Sequence, residues 1–138
     1  MNSANTMEKT ITIQSKLDNI SHIEKLVDEI SEECKLTSDL YGKVLIATIE
    51  AVNNSIVHGN KLDSSKTVEI AVRIDDSRIN IYVKDQGPGF DYNNVPDPTK
   101  PENIENVSGR GVFLMRNLAD DISFRNNGSV VELVFIMK

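Results

Sequence analysis

The stretch KTVEIAVRIDDSRINIYVKD (66–85) constrains this chain more than any other. Two runs within it alternate apolar and polar residues, with Val68, Ile70, Val72 and Ile74 in the first and Ile79, Ile81 and Val83 in the second. Such alternation puts every second side chain on one face of a sheet. Only Asp75, Asp76 and Ser77 separate the runs, so the pair reads as a β-hairpin. A second pair, DISFRNN and SVVELVFIM, closes the chain with Asn127-Gly128 at its turn. A sheet made from hairpins is largely antiparallel.

KTITIQSK (9–16) predicts one more strand, with Ile11 and Ile13 on its buried side. Residues 1–8 are expected to be loosely ordered. Two helical patterns then precede the first hairpin. Ile23, Leu26, Val27 and Ile30 form an apolar stripe, and Ser21 and Glu24 are spaced as a capping box. Thr37-Ser38-Asp39 offers the start of a second helix, which should run to His58 and stop at Gly59-Asn60. GVFLMRNLAD (111–120) predicts a third. Residues 86–108 lose periodicity and contain all four prolines; a connection this long within a compact domain is usually functional. The expected fold is α+β: a two-layer α/β sandwich with a mostly antiparallel sheet covered on one face by helices, residues 1–138 forming a single domain.

The formal net charge is −6, from 15 basic and 21 acidic residues. That balance speaks against non-specific nucleic-acid or anionic-membrane binding. Cys34 is the only cysteine, which excludes a disulfide framework and a four-thiolate zinc site and fits a reducing cytoplasm. No apolar run has the length of a bilayer span.

The second helix carries the first chemical signal. At about 100° per residue, Leu45, Ile49, Val52 and Ile56 share one face. Val44, Ala47 and Ala51 make a flank of smaller side chains, and Glu50, Asn54 and His58 line up four apart beside it. A helix side facing only solvent is broader and richer in lysine and glutamate. This stripe is narrow and mixed. It reads either as a solvated edge or as a pocket wall, where a carboxylate can accept a proton and an amide oxygen can ligate a hard cation. His58 alone reads as a structural hydrogen-bonding residue.

Two glycine pairs bracket the long connection. IYVKDQGPGF places Asp85, Gly87 and Gly89 at a strand end; SGRGVF places Gly109 and Gly111 at a helix start. Each alone is compatible with a plain turn or helix start, although backbone N–H groups at a helix start bind anions and glycine lets phosphate come close. The G-x-x-x-x-G-K-[ST] pattern is absent, and Leu114 ends any G-x-G-x-x-G run from Gly109.

In this order and on these elements, the motifs resemble the Bergerat, or GHKL, fold of gyrase and sensor histidine kinases. EAVNNSIVHG (50–59) is similar to the N-box of bacterial anti-sigma-factor serine/threonine kinases. The resemblance spans Thr10 to the C-terminus. It implies an ATP-binding kinase in which Glu50 is the general base and Asn54 holds Mg²⁺ against the phosphates, with His58 in the same box. Asp85 would accept a hydrogen bond from the adenine amino group, where guanine presents a carbonyl. Gly87 and Gly89 would let the backbone pass close to the base. Residues 90–108 would form an ATP lid, and Gly109, Arg110 and Gly111 would close over the phosphates. Ser129 falls where the family has a Gly-Thr motif near the base; serine replaces threonine here, and Asn127-Gly128-Ser129 is also an ordinary hairpin turn.

The implied function is a serine/threonine protein kinase and anti-sigma factor. It would phosphorylate a STAS-type antagonist, sequester a sigma factor and form a homodimer. The alternative is an ATP-binding module of another partner-switching or two-component pathway without sigma binding. A histidine kinase domain is disfavoured because only a strand and one helix precede the N-box helix, and SHIEKL around His22 is a poor phosphoacceptor box. Glu50 argues against a purely non-catalytic binder.

Overall fold

The computed structural model describes residues 6–88 and 107–137. Its strands are β1 (Met7–Gln14), β2 (Thr67–Ile74), β3 (Arg78–Lys84), β4 (Asp121–Arg125) and β5 (Val130–Ile136). Its α-helices are α1 (Ile20–Cys34), α2 (Ser38–Asn54) and α3 (Val107–Leu118). The strands make one five-stranded antiparallel sheet in the order β1-β2-β3-β5-β4. The fold is the expected α+β class.

Register follows the alternation. Ile70 pairs with Val83, Val72 with Ile81 and Ile74 with Ile79. These rows continue into β5 as Val131, Leu133 and Phe135, and all of them are buried. The other face is more polar: Asn80 Nδ2 donates to Glu132 Oε2 at 2.7 Å, and Arg125 pairs with Glu132 at 2.6 Å. Asp75 Oδ1 accepts from the backbone N–H of Ser77 and Arg78, the short-range bonding that makes Asp a turn former. In the second hairpin Asn126, Asn127 and Gly128 take positive φ, which Asn and Gly tolerate best.

The helices bury their apolar sides against the sheet. Ile23, Val27 and Ile30 of α1, Val44, Ala47, Ala51 and Val52 of α2, and Val112 and Met115 of α3 are all buried. Each larger aliphatic side chain so placed contributes about 1.5–3 kcal/mol. On α2 the small flank is buried throughout, whereas Leu45 and Ile49 are only half-buried. Small side chains let α2 approach its neighbours closely, so that flank takes the deepest position.

Several boundaries differ from expectation. β1 starts at Met7, ahead of the alternation, because Met7 packs on the core and Glu8 pairs with Arg73 at 3.1 Å. The capping box at Ser21 and Glu24 does not form. A short 3₁₀ turn, Leu17–Asn19, leads into α1, and the Ser21 hydroxyl donates to the Asp18 carbonyl. Thr37 does cap α2, accepting from Leu40 N–H at 3.2 Å. α2 then widens into a π-helical turn, Ser55–Gly59, closed by the Asn60 N–H on the Ser55 carbonyl at 2.7 Å. α3 begins at Val107, so residues 107 and 108 of the expected lid are helical. Gly89 and residues 90–106 lie outside the described residues.

Candidate functional site

Glu50 and Asn54 stand one turn apart on α2, both half-buried. α3 meets them at Gly111. A Cβ there would lie 3.0 Å from Glu50 Oε1 and 3.1 Å from Asn54 Oδ1. Val112 and Met115, buried on either side of the next turn, fix α3 to the core. The helix stripe and the second glycine pair, some fifty residues apart in sequence, are therefore in contact. Gly109 and Arg110 belong to the same stretch of α3 backbone.

The end of β3 supplies the other half. Asp85 is only 6% exposed. Its N–H donates to the Ser129 carbonyl at 2.9 Å, and its Oδ1 accepts from Gly87 N–H at 2.8 Å. The Ser55 hydroxyl also hydrogen-bonds the carboxylate. Burial raises the Asp85 pKa above the ordinary carboxylate range; the Gly87 and Ser55 bonds and the nearby Lys66 charge oppose that rise. Gly59 lies directly on this carboxylate, where a Cβ would come within 2.8 Å of Oδ1 and closer still to Oδ2. Gly87 in turn rests on the Gly59 carbonyl, with no room for a side chain.

Between the two halves lies a narrow cleft of about 10 Å³ lined by Ala51, Asn54, Ser55, Asp85, Met115, Phe124, Gly128 and Val131. Its walls are apolar, with the polar groups of Asn54, Ser55 and Asp85 set among them. Arg116 stacks over the Phe124 ring at 5.7 Å and braces that wall. Ser129 sits one hydrogen bond from Asp85 through its carbonyl, while its hydroxyl donates to the Asn126 carbonyl at 3.0 Å. His58 lies on the π-turn, half-buried. Desolvation first and Lys61 second lower its pKa, so it is neutral at pH 7.

Among the described residues no group of three His, Cys, Asp or Glu could hold a metal alone. A magnesium ion bound through phosphates needs no such cage, because it retains waters and takes one or two protein oxygens. Asn54, one turn from Glu50 and against Gly111, offers such an oxygen. Sequence reasoning missed Ser55, Met115 and Phe124 as cleft residues, whereas Gly128 falls in the stretch aligned with the family's Gly-Thr motif. Ser55 alone carried a signal, since it continues the small flank Val44, Ala47, Ala51 as its polar member.

A family model for the histidine kinase-like ATPase domain matches residues 13–135. An anti-sigma F factor from Geobacillus stearothermophilus is 31% identical over 133 residues, covering 91% of this chain and 90% of that protein. An anti-sigma F factor from Anoxybacillus flavithermus is 34% identical over 107 residues, 71% of this chain and 70% of that protein. The serine-protein kinase RsbW of Bacillus subtilis is 25% identical over 135 residues, 94% and 83% of the two chains. A crystal structure of the RsbU and RsbW domains of a Mycobacterium tuberculosis protein has the same fold, with a TM-score of 0.65 at 14% identity over 96% of this chain and 32% of that one. No helix among the described residues is long and apolar enough to cross a membrane. With a match that runs from β1 to β5 on a shared fold, this chain belongs to the histidine kinase-like ATPase domain family.

Proposed function

We propose that this protein is an ATP-dependent serine/threonine protein kinase that also acts as an anti-sigma factor. One observation carries the reading: Gly111 of α3 lies against Glu50 and Asn54, and Asn54 lines the same narrow cleft as the buried Asp85. Adenine would lie against Asp85, whose carboxylate accepts from the exocyclic amino group. Guanine presents a carbonyl at that position and is repelled. Gly87 and Gly89 would let the backbone pass beside the base.

Asn54 would hold Mg²⁺, with the phosphates supplying further ligands. Such an ion neutralises phosphate charge. The backbone N–H groups in the first turn of α3, at Gly109 and Arg110, would face the phosphates, Gly111 would leave room for them, and the Arg110 guanidinium would add charge there. Glu50 would take the proton from the acceptor hydroxyl. The hydroxyl oxygen then bonds the γ-phosphorus as its bond to the ADP oxygen breaks. His58, uncharged, would support the turn that carries Gly59. Residues 90–106 would act as the lid of a single domain spanning 1–138.

Relatives named anti-sigma F factor and serine-protein kinase support both halves of the function. The acceptor would be a STAS-type sigma antagonist and the alternative partner a sigma factor. The protein would work as a cytoplasmic homodimer. The test is to purify it from its host with whatever co-purifies, add ATP and map phosphosites. A serine or threonine of a co-purifying protein should be modified. Glu50→Ala should abolish transfer while nucleotide still binds; transfer at an undiminished rate would rule out Glu50 as the base.

A further inference from the structure

Asn60 follows the N-box-like segment, reads in sequence as a helix stop, and yet is only 1% exposed. A buried amide is costly unless its hydrogen-bonding capacity is used. Here Nδ2 donates to Ser15 Oγ at 2.7 Å and to the Thr67 carbonyl at 2.9 Å. Oδ1 accepts from the Gln86 N–H at 2.7 Å. One side chain thus ties together the end of β1, the start of β2 and the residue that follows Asp85.

The neighbours reinforce the same knot. The Ser15 hydroxyl donates to the Lys66 carbonyl at 2.9 Å, and Gln86 Oε1 accepts from Thr67 N–H at 2.7 Å. The turn after β3 is fixed at each position by a different partner: Asp85 N–H by the Ser129 carbonyl, Gln86 N–H by Asn60, and Gly87 N–H by Asp85 itself. The first and third of these bonds are made by Asp85. The middle bond is the one made by a separate side chain, and that side chain lies behind the turn, away from the cleft lining.

We infer that Asn60 is a positioning residue for base selection: through Gln86 it sets the backbone that aims the Asp85 carboxylate into the cleft. The inference rests on the ATP-binding reading above. Asn60 does not touch nucleotide. Its loss releases the Asp85-Gln86-Gly87 turn, so the carboxylate no longer meets the amino edge of adenine at a fixed distance. The phosphate end, built from α2 and α3, is left in place.

The test compares binding of ATP with binding of inosine triphosphate, which has an oxygen in place of the 6-amino group, by calorimetry on the full chain. The wild-type protein should prefer ATP by at least about tenfold. In Asn60→Ala that preference should collapse toward unity, with inosine triphosphate affinity little changed. Ser15→Ala removes hydrogen bonds from the same knot but leaves the Asn60–Gln86 bond. It should lower the melting temperature and keep the preference, so loss of preference in both variants, or in neither, overturns the inference. Hydrogen exchange on the wild-type protein covers the case of an insoluble variant: the Gln86 amide should exchange at least about 100-fold more slowly than an unstructured amide, and free exchange there also overturns it. If wild type binds neither nucleotide, or binds both equally, the ATP-site reading fails instead.

Discussion

Gly111 and Glu50 are packed so closely that a methyl on the α-carbon of one would stand 3.0 Å from Oε1 of the other. Inside an ordinary helix, glycine to alanine stabilises by roughly 0.5–1 kcal/mol. Gly111→Ala should keep that gain or lose little of it, because Glu50 can shift by a few tenths of an ångström. The displaced carboxylate is then misaligned for proton transfer, and the phosphotransfer rate should drop at least about tenfold. Melting temperature and single-turnover rate on one preparation separate the two effects.

Gly59→Ala and Gly87→Ala should differ in severity. The added methyl at position 59 collides with the Asp85 side chain, which can rotate away at the expense of the site. At position 87 it collides with the Gly59 backbone, which cannot move without breaking the π-turn. The first variant should fold with weakened nucleotide binding. The second should lose about 2 kcal/mol or more of stability. Denaturant titration with and without ATP checks both.

Asp85→Asn should leave the melting temperature at pH 7 unchanged or raised, yet weaken ATP binding by about tenfold or more. Burial holds the folded-state pKa of Asp85 above its unfolded value. The proton therefore binds more tightly to the folded chain. The associated stability is present below the unfolded pKa and is lost as pH rises through the folded one. The variant should lack that component of the pH–stability curve. ATP affinity of the wild-type protein should decline on acidification from a pH above the ordinary carboxylate range, as Asp85 takes up its proton.

Thr48 is fully buried on α2, and its hydroxyl has no hydrogen-bond partner among the described residues. An unsatisfied buried hydroxyl costs about 1–3 kcal/mol. Thr48→Val, nearly the same shape, should stabilise the fold by about 1 kcal/mol without altering nucleotide affinity. A chemical denaturation midpoint that falls would refute this.

Strand periodicity made the sheet readable in advance, because Ile70, Val72, Ile79 and Ile81 repeat the two-residue rhythm that burial on one face demands. The Glu50–Asn54 stripe was equally plain on a helical wheel. Whether it faced solvent or a pocket was not, since that depends on α3 arriving at Gly111, a contact between distant segments. Asn60 was opaque for a related reason: beside Gly59 it has the local features of a helix terminator, and its burial comes from Ser15, Thr67 and Gln86. The capping box failed because Ser21 and Glu24 match a local pattern that the Leu17–Asn19 turn pre-empts.

β5 lies between β3 and β4, and its neighbour Ser129 holds the Asp85 backbone. During synthesis the ribosome makes Asp85 more than forty residues before that clasp exists. A nascent chain halted before the final hairpin would carry the N-box-like helix and the first glycine pair but no closed specificity end. Competence to bind nucleotide should therefore arise late and abruptly, as the last strand slots into the middle of the sheet.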